Sequence, residues 1–364
     1  MQINSLELEN FRNYECIKVE FNEKVNVICG ENGQGKTNIL ESIYMCGTGK
    51  SHKGSKEKEM IRNGCENAHI KGEFCGKYVN RRVDIHLKAH GGKGIAVDRI
   101  PIKKVSELYG RIPVVMFSAE DLDIIKRGPS GRRRFLDIEL CQIDPIYVEN
   151  LINYNHILEQ RRELFKNLEE KNEDVHALSD VLDILDMQLT ETGCRLIKRR
   201  RAFIEELSLQ TEEIHKKISG GKEMVQLVYE PSVGEEEFYE KLLRAREKDS
   251  ILKQTSVGPH RDDFSFMDGK TDLKIYGSNG QQRTAAVSLK LAQIMLIENK
   301  KKECPLLLLD DVLSELDRSR QKVLLENFEK TQTIITCTGI NEFLEKELGK
   351  VRMIRIENGS CEIK

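Results

Sequence analysis

Apolar residues alternate with polar ones at a spacing of two through the first hundred positions: Leu6/Leu8, Ile17/Val19/Phe21, Val25/Val27, Val83/Ile85/Leu87 and Ile95/Val97. A strand turns successive side chains to opposite faces, so this period predicts half-buried strands. The cluster GGKG at 91–94, between two of them, predicts a hairpin. At VVMFS (114–118) the alternation gives way to a continuous apolar run, the pattern of a strand covered on both faces. From about 145 to 218 the spacing becomes three and four: Leu151, Tyr154 and Leu158, then Leu178, Leu182, Leu185 and Leu189, among Glu, Lys and Arg. Two helices joined near EEKNED (169–174) are expected, forming an intramolecular hairpin roughly 40–60 Å long at about 1.5 Å per residue. Strand texture returns after Gly220-Gly221, and the chain then ends in a helix, a buried strand and short elements. The expected organisation is an α/β head made of residues 1–140 and 255–364, with a mixed sheet and an antiparallel β subdomain, interrupted by a helical arm at 141–254.

Composition narrows the picture by exclusion. A chain of 364 residues with 39% hydrophobic content buries a sizeable core. The opening MQINSLELENFRNY alternates apolar and charged residues, unlike a signal peptide, and no run is apolar for long enough to cross a bilayer, so a soluble cytoplasmic protein with no membrane partner is expected. The 10 cysteines contain no C-x-x-C pair and read as reduced core thiols, with no metal site among them. A net charge of −2 announces no global attraction to nucleic acid, so any DNA surface is local. The absence of Trp argues against a base-stacking platform.

Two motifs carry chemistry. VNVICGENGQGKTNILESIYM contains G-x-x-x-x-G-K-T (Gly30, Glu31, Asn32, Gly33, Gln34, Gly35, Lys36, Thr37), after a strand-like stretch and before helical spacing, with Asn38 next in line. In that context backbone N–H groups curl around phosphate oxygens, Lys36 reaches the β and γ phosphates, and the Thr37 hydroxyl takes a place on Mg²⁺. PLLLLDDVLSELD (305–317) is an apolar strand that delivers Asp310 and Asp311 at its carboxyl end, where open α/β sheets bind ligands. Asp310 is placed to hold Mg²⁺ through water and Asp311 to orient or deprotonate the attacking water, so Asp311 and Lys36 are the catalytic candidates. Together the motifs specify a Mg-nucleoside triphosphatase. No N-K-x-D guanine reader is present, which argues against a GTPase.

The polar turn YGSNGQQRT (276–284), about twenty-five residues before the second acidic motif, resembles the signature turn of ABC-type ATPases. Within that superfamily the chain resembles the RecF recombination-mediator family over essentially its full length, through LELENFRNY, GENGQGKTNILESIY, SHKGSKEKEMIR, MFSAEDLDIIKRGPSGRRRFLD, SVGPHRDDF, GSNGQQRT and LLLLDDVLSELD. The resemblance implies an ABC/SMC-type P-loop head with a short arm, and an ATP-dependent homodimer in which Ser278, Gly280 and Gln281 read the γ-phosphate bound by the other subunit. It implies a weak, DNA-stimulated ATPase used as a switch, with ATP and Mg²⁺ as cofactors. It also implies binding to duplex DNA beside single-strand gaps, and action with RecO and RecR to load RecA in repair, replication restart and the SOS response. By the same resemblance Arg12 and Asn13 lie against the nucleotide, and Asp317 matches a dimer-contact aspartate.

The chain departs from transport-type ABC proteins at three points. Asp311 stands where they carry glutamate, MFSAEDL has no glutamine, and TIITCTG offers Thr336 and Thr338 but no histidine, so the γ-phosphate sensor is unassigned. His260 and Arg261 in GPHRDD read as structural or interdomain residues in preference to a metal or catalytic cluster. For DNA, KRGPSGRRR gathers Lys126, Arg127, Arg132, Arg133 and Arg134, and KRRR sets Lys198, Arg199, Arg200 and Arg201 on a helix; Lys53, Lys56 and Lys58 are further candidates. A solvated helix face paired with Glu205 and Glu206 is the alternative for the second run. At the level of function, an SMC-like chromosome organiser is the alternative, although the arm is short for that task.

Overall fold

The computed structural model describes residues 1–171, 179–326, 331–338, 351–357 and 359–363. Of the junction expected near EEKNED, residues 169–171 are still helical, and 172–174, like Leu178, lie outside the described residues. The chain folds into two compact units, residues 1–123, 214–222 and 283–364 in one and 124–213 and 223–282 in the other. Residues 124–140 and 255–282, expected with the head, thus group with the arm. The first of these stretches carries Arg132 and the second Asp263, a buried guanidinium and its carboxylate.

The first unit holds two six-stranded sheets. In one, β1 (Gln2–Phe11) pairs antiparallel with β2 (Tyr14–Glu20) and with β4 (Asn67–Cys75), which continues to β5 (Arg81–Lys88), β6 (Gly92–Val97) and β7 (Ile100–Ile102). In the other, β3 (Val25–Cys29), β8 (Val114–Ser118), β12 (Leu306–Asp310), β13 (Thr333–Cys337) and β14 (Arg352–Glu357) run parallel, in the order β14-β3-β13-β12-β8, with β15 (Ser360–Ile363) antiparallel at the edge. The period-two residues of the antiparallel strands point into one shared core, and Leu6, Val19, Val83, Ile85 and Leu87 are all fully buried. Leu306–Leu309 are at most 1% exposed, and burying four such side chains stabilises the unit by roughly 6–12 kcal/mol gross.

Helix α1 (Lys36–Thr48) touches strands of both sheets and buries residues all round, which is why its apolar positions show no clear single stripe. Short α2 (Glu57–Met60) follows it. The unit also takes most of α8 (Asn279–Lys301) and all of α9 (Arg318–Glu326).

The second unit holds α3 (Pro129–Ile143), the long helix α4 (Pro145–Lys171), most of the long helix α5 (Ser179–Ile218), α6 (Phe238–Leu252) and short α7 (Leu273–Tyr276), with a small sheet of β9 (Gln226–Glu230), β10 (Asp263–Asp268) and β11 (Thr271–Asp272). At 27 and 40 residues, α4 and α5 are roughly 40 and 60 Å long. Their recurrent apolar positions Tyr154, Leu182 and Leu189 are buried, and Phe165 packs on Leu182. The texture read as strand after 221 contains α6 as well. Its buried positions are only Phe238, Leu242, Ala245 and Asp249, a narrow stripe among charged residues. All ten cysteines are free thiols. Cys46 and Cys141 are buried, whereas Cys16 is exposed, which corrects the reading of all ten as core residues.

Candidate nucleotide site

The parallel strands bring the two motifs together. Asp310, last in β12, pairs with Thr336 of β13 and Ser118 of β8. One strand further over, β3 ends at Cys29 and releases the glycine-rich loop into α1. Thr37 Oγ1 donates to Asp310 Oδ1 at 2.8 Å, across 273 positions of sequence, and Thr336 Oγ1 donates to the same oxygen at 2.7 Å. Two hydroxyls and a carboxylate thus converge at one point, a hard-oxygen donor set suited to Mg²⁺. Asp311 follows in a left-handed conformation (φ 53), its N–H donating to Thr336 Oγ1 at 3.1 Å and its carboxylate accepting from Ser314 Oγ at 3.2 Å. It stands exposed beside the hydroxyl pair.

Lys36 is buried, and its ammonium folds back on the loop, donating to the carbonyls of Gly30 (2.7 Å) and Glu31 (2.9 Å). Glu31, Asn32 and Gly33 are exposed along the loop rim. The loop is braced from the β1–β2 turn. Asn13 Nδ2 donates to Gln34 O at 2.9 Å, Asn38 Nδ2 donates to Asn13 Oδ1 at 2.8 Å, and Tyr14 OH reaches Gln34 O at 3.5 Å. Burial raises the Tyr14 phenol well above its ordinary pKa, so it serves as a donor. Gly35 has φ 101, and a Cβ there would stand 2.5 Å from Asn13 Oδ1, so both the backbone sign and the close approach require glycine.

Arg12 and Asn13 part company. Asn13 meets the phosphate loop, whereas Arg12 forks onto Glu41 of α1 with two 2.8 Å bonds and also reaches Ser55 Oγ and Glu59 O. Glu41 is 1% exposed and takes a second short bond from Ser51 Oγ, so the Arg12 charge compensates a buried carboxylate.

Ser278 caps α8. The Gln281 N–H donates to Ser278 Oγ (3.2 Å) and the Ser278 N–H donates to Gln281 Oε1 (2.8 Å), a reciprocal box that leaves the serine O–H to donate outward. Gly280 lies within this first turn. Asp317 caps α9 in a similar way, accepting from the Arg320 N–H at 3.0 Å and from the Arg320 guanidinium.

The basic runs divide sharply. Arg132 is 3% exposed and forks onto Asp263 at 2.6 and 2.7 Å, with further bonds to the carbonyls of Ile124, Ile125 and Arg127. Arg200 is 2% exposed and bonds Asp137, Asp262, Tyr147 OH and Pro259 O. Neither guanidinium reaches solvent, so both leave the candidate DNA surface. The desolvation of a buried arginine requires such carboxylates nearby. Arg133 donates to Asp262 O at 2.8 Å and Arg199 to Asp144 Oδ2 at 2.6 Å, each partly exposed; Arg134 and Lys198 stand exposed. His260 sits inside the same network, between Tyr154 OH (2.7 Å) and Thr255 O (2.8 Å), and burial above all lowers its pKa to about 4.

Sequence reasoning missed Tyr14, Glu41 and the part Thr336 plays on Asp310. Thr336 ends a buried strand, a pattern visible in the sequence, but its place directly beside the strand that delivers the aspartates comes from the sheet order. After β8, where no glutamine stands, Asp121 takes bonds from the Ser118 N–H (2.8 Å) and pairs with buried Lys290 of α8 at 3.2 Å. Among the described residues, no helix is long and apolar enough to cross a membrane.

Residues 5–223 match the family described as an AAA domain. Over 362 residues, spanning 100% of this chain and 99% of the relative, 51% of positions are identical to the DNA replication and repair protein RecF of Lachnoclostridium phytofermentans. The protein of the same name from Agathobacter rectalis is 50% identical over 363 residues, covering 100% of this chain and 99% of its own. Among solved structures, the recombination mediator protein RecF with ATP, of the RecFOR pathway, superposes with a TM-score of 0.92 at 34% identity, covering 100% of this chain and 97% of that one. An SMC head bound to the C-winged helix domain of ScpA gives a TM-score of 0.56 at 16% identity, a likeness of fold alone; it covers 100% of this chain and 97% of that one.

Proposed function

Because the chain belongs to the RecF family and carries the P-loop ATPase head fold, we propose that it is a DNA-repair and recombination ATPase that uses ATP as a switch. The observation that carries this reading is the Thr37–Asp310 bond, which closes the phosphate loop onto the acidic strand. The residues present fit Mg·ATP: the glycine-only cradle at Gly35, the inward lysine, and the oxygen donors around Asp310. Residues Gly30–Asn38 would hold the triphosphate, with Lys36 leaving its two carbonyls for phosphate oxygens. Thr37 and Asp310 would hold Mg²⁺, which supplies charge neutralisation across the β and γ phosphates. Asp311 would orient the attacking water. One methylene shorter than glutamate and standing at the surface, it fits slow hydrolysis.

Ser278, Gly280 and Gln281 act in trans in this reading, presenting a serine O–H and a helix N-terminus to the nucleotide of a second copy. ATP then binds preferentially to the closed dimer and stabilises it by mass action. The closed form engages duplex DNA beside single-strand gaps in the cytoplasm, through Arg134, Lys198 and the partly exposed Arg133 and Arg199. The RecFOR pathway named for the solved relative supports RecO and RecR as partners and RecA loading as the outcome. Sizing the protein with ATP, ADP and no nucleotide tests the switch, and a monomer under all three conditions excludes it. Lys36→Met is expected to abolish ATP binding, and Ser278→Arg to block pairing with ATP binding intact.

A further inference from the structure

We propose that Lys126 is a phosphate contact that joins the 278–281 turn in reading the terminal phosphate of a nucleotide held by a second copy of the chain; the inference rests on the trans reading of that turn. Lys126 Nζ donates to Asn279 Oδ1 at 2.9 Å, across 153 positions of sequence. Asn279 is the first residue of α8, so a full positive charge is held at the entrance of the helix assigned to phosphate recognition.

Charge supplies the first argument. A helix N-terminus offers about half an elementary charge, and Ser278 and Gln281 already spend two donors on each other. A γ-phosphate needs more than that, and an ammonium supplies a whole charge. Lys126 is exposed and has no carboxylate partner among the described residues, whereas Arg283 of the same helix is paired with Glu315 at 3.0 Å. Of the three ammonium donors, one is on Asn279 and two are left for phosphate oxygens.

Rigidity supplies the second argument. The buried Arg132 guanidinium donates to the carbonyls of Ile124 (3.1 Å), Ile125 (3.2 Å) and Arg127 (2.6 Å), on either side of Lys126. Ile124 and Ile125 are themselves 6% and 1% exposed. The loop is therefore clamped from below while Lys126 is aimed outward at the α8 turn. A contact made on a preorganised element costs little reorganisation when charge develops on the phosphate. Arg132, withdrawn from the DNA surface by burial, acts here as the positioning residue.

The test uses the full chain and its ATP hydrolysis at saturating ATP. Lys126→Met is expected to lower kcat about 10²-fold, the scale of losing one transition-state donor, with binding of a fluorescent ATP analogue unchanged and Lys126→Arg restoring most of the rate. An equimolar mixture of Lys126→Met with Asp311→Asn then places one intact pocket in each mixed dimer. Turnover should recover to about a quarter of wild type by random pairing in a symmetric dimer. Ser278→Ala mixed with Asp311→Asn is the parallel arm. Recovery in the serine arm but not in the lysine arm overturns the Lys126 assignment and leaves the trans turn standing. Recovery in neither arm overturns both. A wild-type kcat for Lys126→Met, with loss only of DNA affinity, also overturns it and assigns the ammonium to DNA phosphate.

Discussion

Replacing Arg200 by Met keeps much of the side-chain volume and removes the cation from a buried carboxylate network. Arg200 is 2% exposed and reaches Asp137 Oδ1 at 2.8 Å and Asp262 Oδ2 at 3.1 Å, with Tyr147 OH at 2.9 Å and the Pro259 carbonyl completing its fork. Breaking a buried pair by removing one partner costs about 3–5 kcal/mol. Asp262 is fully buried but keeps the Tyr229 hydroxyl and the Ser232 N–H at 2.9 Å, which places the cost toward the lower end. With a urea slope of about 3 kcal/mol per molar, a loss of about 3 kcal/mol moves the unfolding midpoint down by about 1 M. The assay is urea denaturation followed by circular dichroism, with DNA affinity measured below the transition. Asp262→Asn in the Arg200→Met background should recover part of the loss, since it removes the uncompensated charge. A midpoint within about 0.2 M of wild type together with weakened DNA binding would refute the reasoning and return Arg200 to the DNA surface.

Other outcomes follow from the same geometry. Gly35→Ala, with φ 101 and a Cβ 2.5 Å from Asn13 Oδ1 and 2.8 Å from Tyr14 OH, should cost about 1–3 kcal/mol and weaken ATP binding; unchanged nucleotide affinity by calorimetry would contradict the cradle. Burial holds His260 at about 4 when folded against 6.5 when unfolded, so the unfolded chain binds the extra proton between those values. Stability from this group is therefore complete above pH 6.5 and lost as pH falls toward 4, on the order of 3 kcal/mol in all. His260→Gln should flatten that part of the pH–stability curve, and parallel wild-type and variant curves would refute the assignment. Lys198→Glu should weaken DNA binding without sequence preference and lower the slope of log affinity against log salt by about 1; an unchanged slope would remove Lys198 from the surface.

The parts most legible in the sequence are those where one physical rule acts alone. Alternation at period two located β1, β2, β5 and β6 because those strands turn one face to the core. Val25 and Val27 also located β3, although that strand is buried on both faces. The phosphate loop was visible because its glycines, lysine and threonine have fixed jobs. Helix α1 was legible from its motif together with the helical spacing of Leu40, Ile43 and Tyr44, although it is buried almost all round. Helix α6 was missed because a four-residue stripe in fifteen residues is too sparse to outweigh the charged majority. Thr336 was seen only as a missing histidine. That its hydroxyl meets Asp310 depends on strand order, β13 lying between β3 and β12, and no local pattern encodes strand order.

The basic runs show why composition misleads about function. KRGPSGRRR reads as one positive patch, but α3 begins within it, and helical geometry sends consecutive residues to different faces. Arg132 goes inward to Asp263, while Lys126, before the helix starts, stays outside against Asn279. KRRR on α5 divides in the same way, with Arg200 inside and Lys198 outside. In both runs the inward arginine meets an aspartate of one contiguous motif, Asp263 or Asp262 of GPHRDD. That motif is therefore an acidic counterpart of both basic runs, and its carboxylates, with Asp137 beside Arg200, compensate the two buried arginines. The charge left over for a phosphate, of ATP or of DNA, is what those aspartates do not reach.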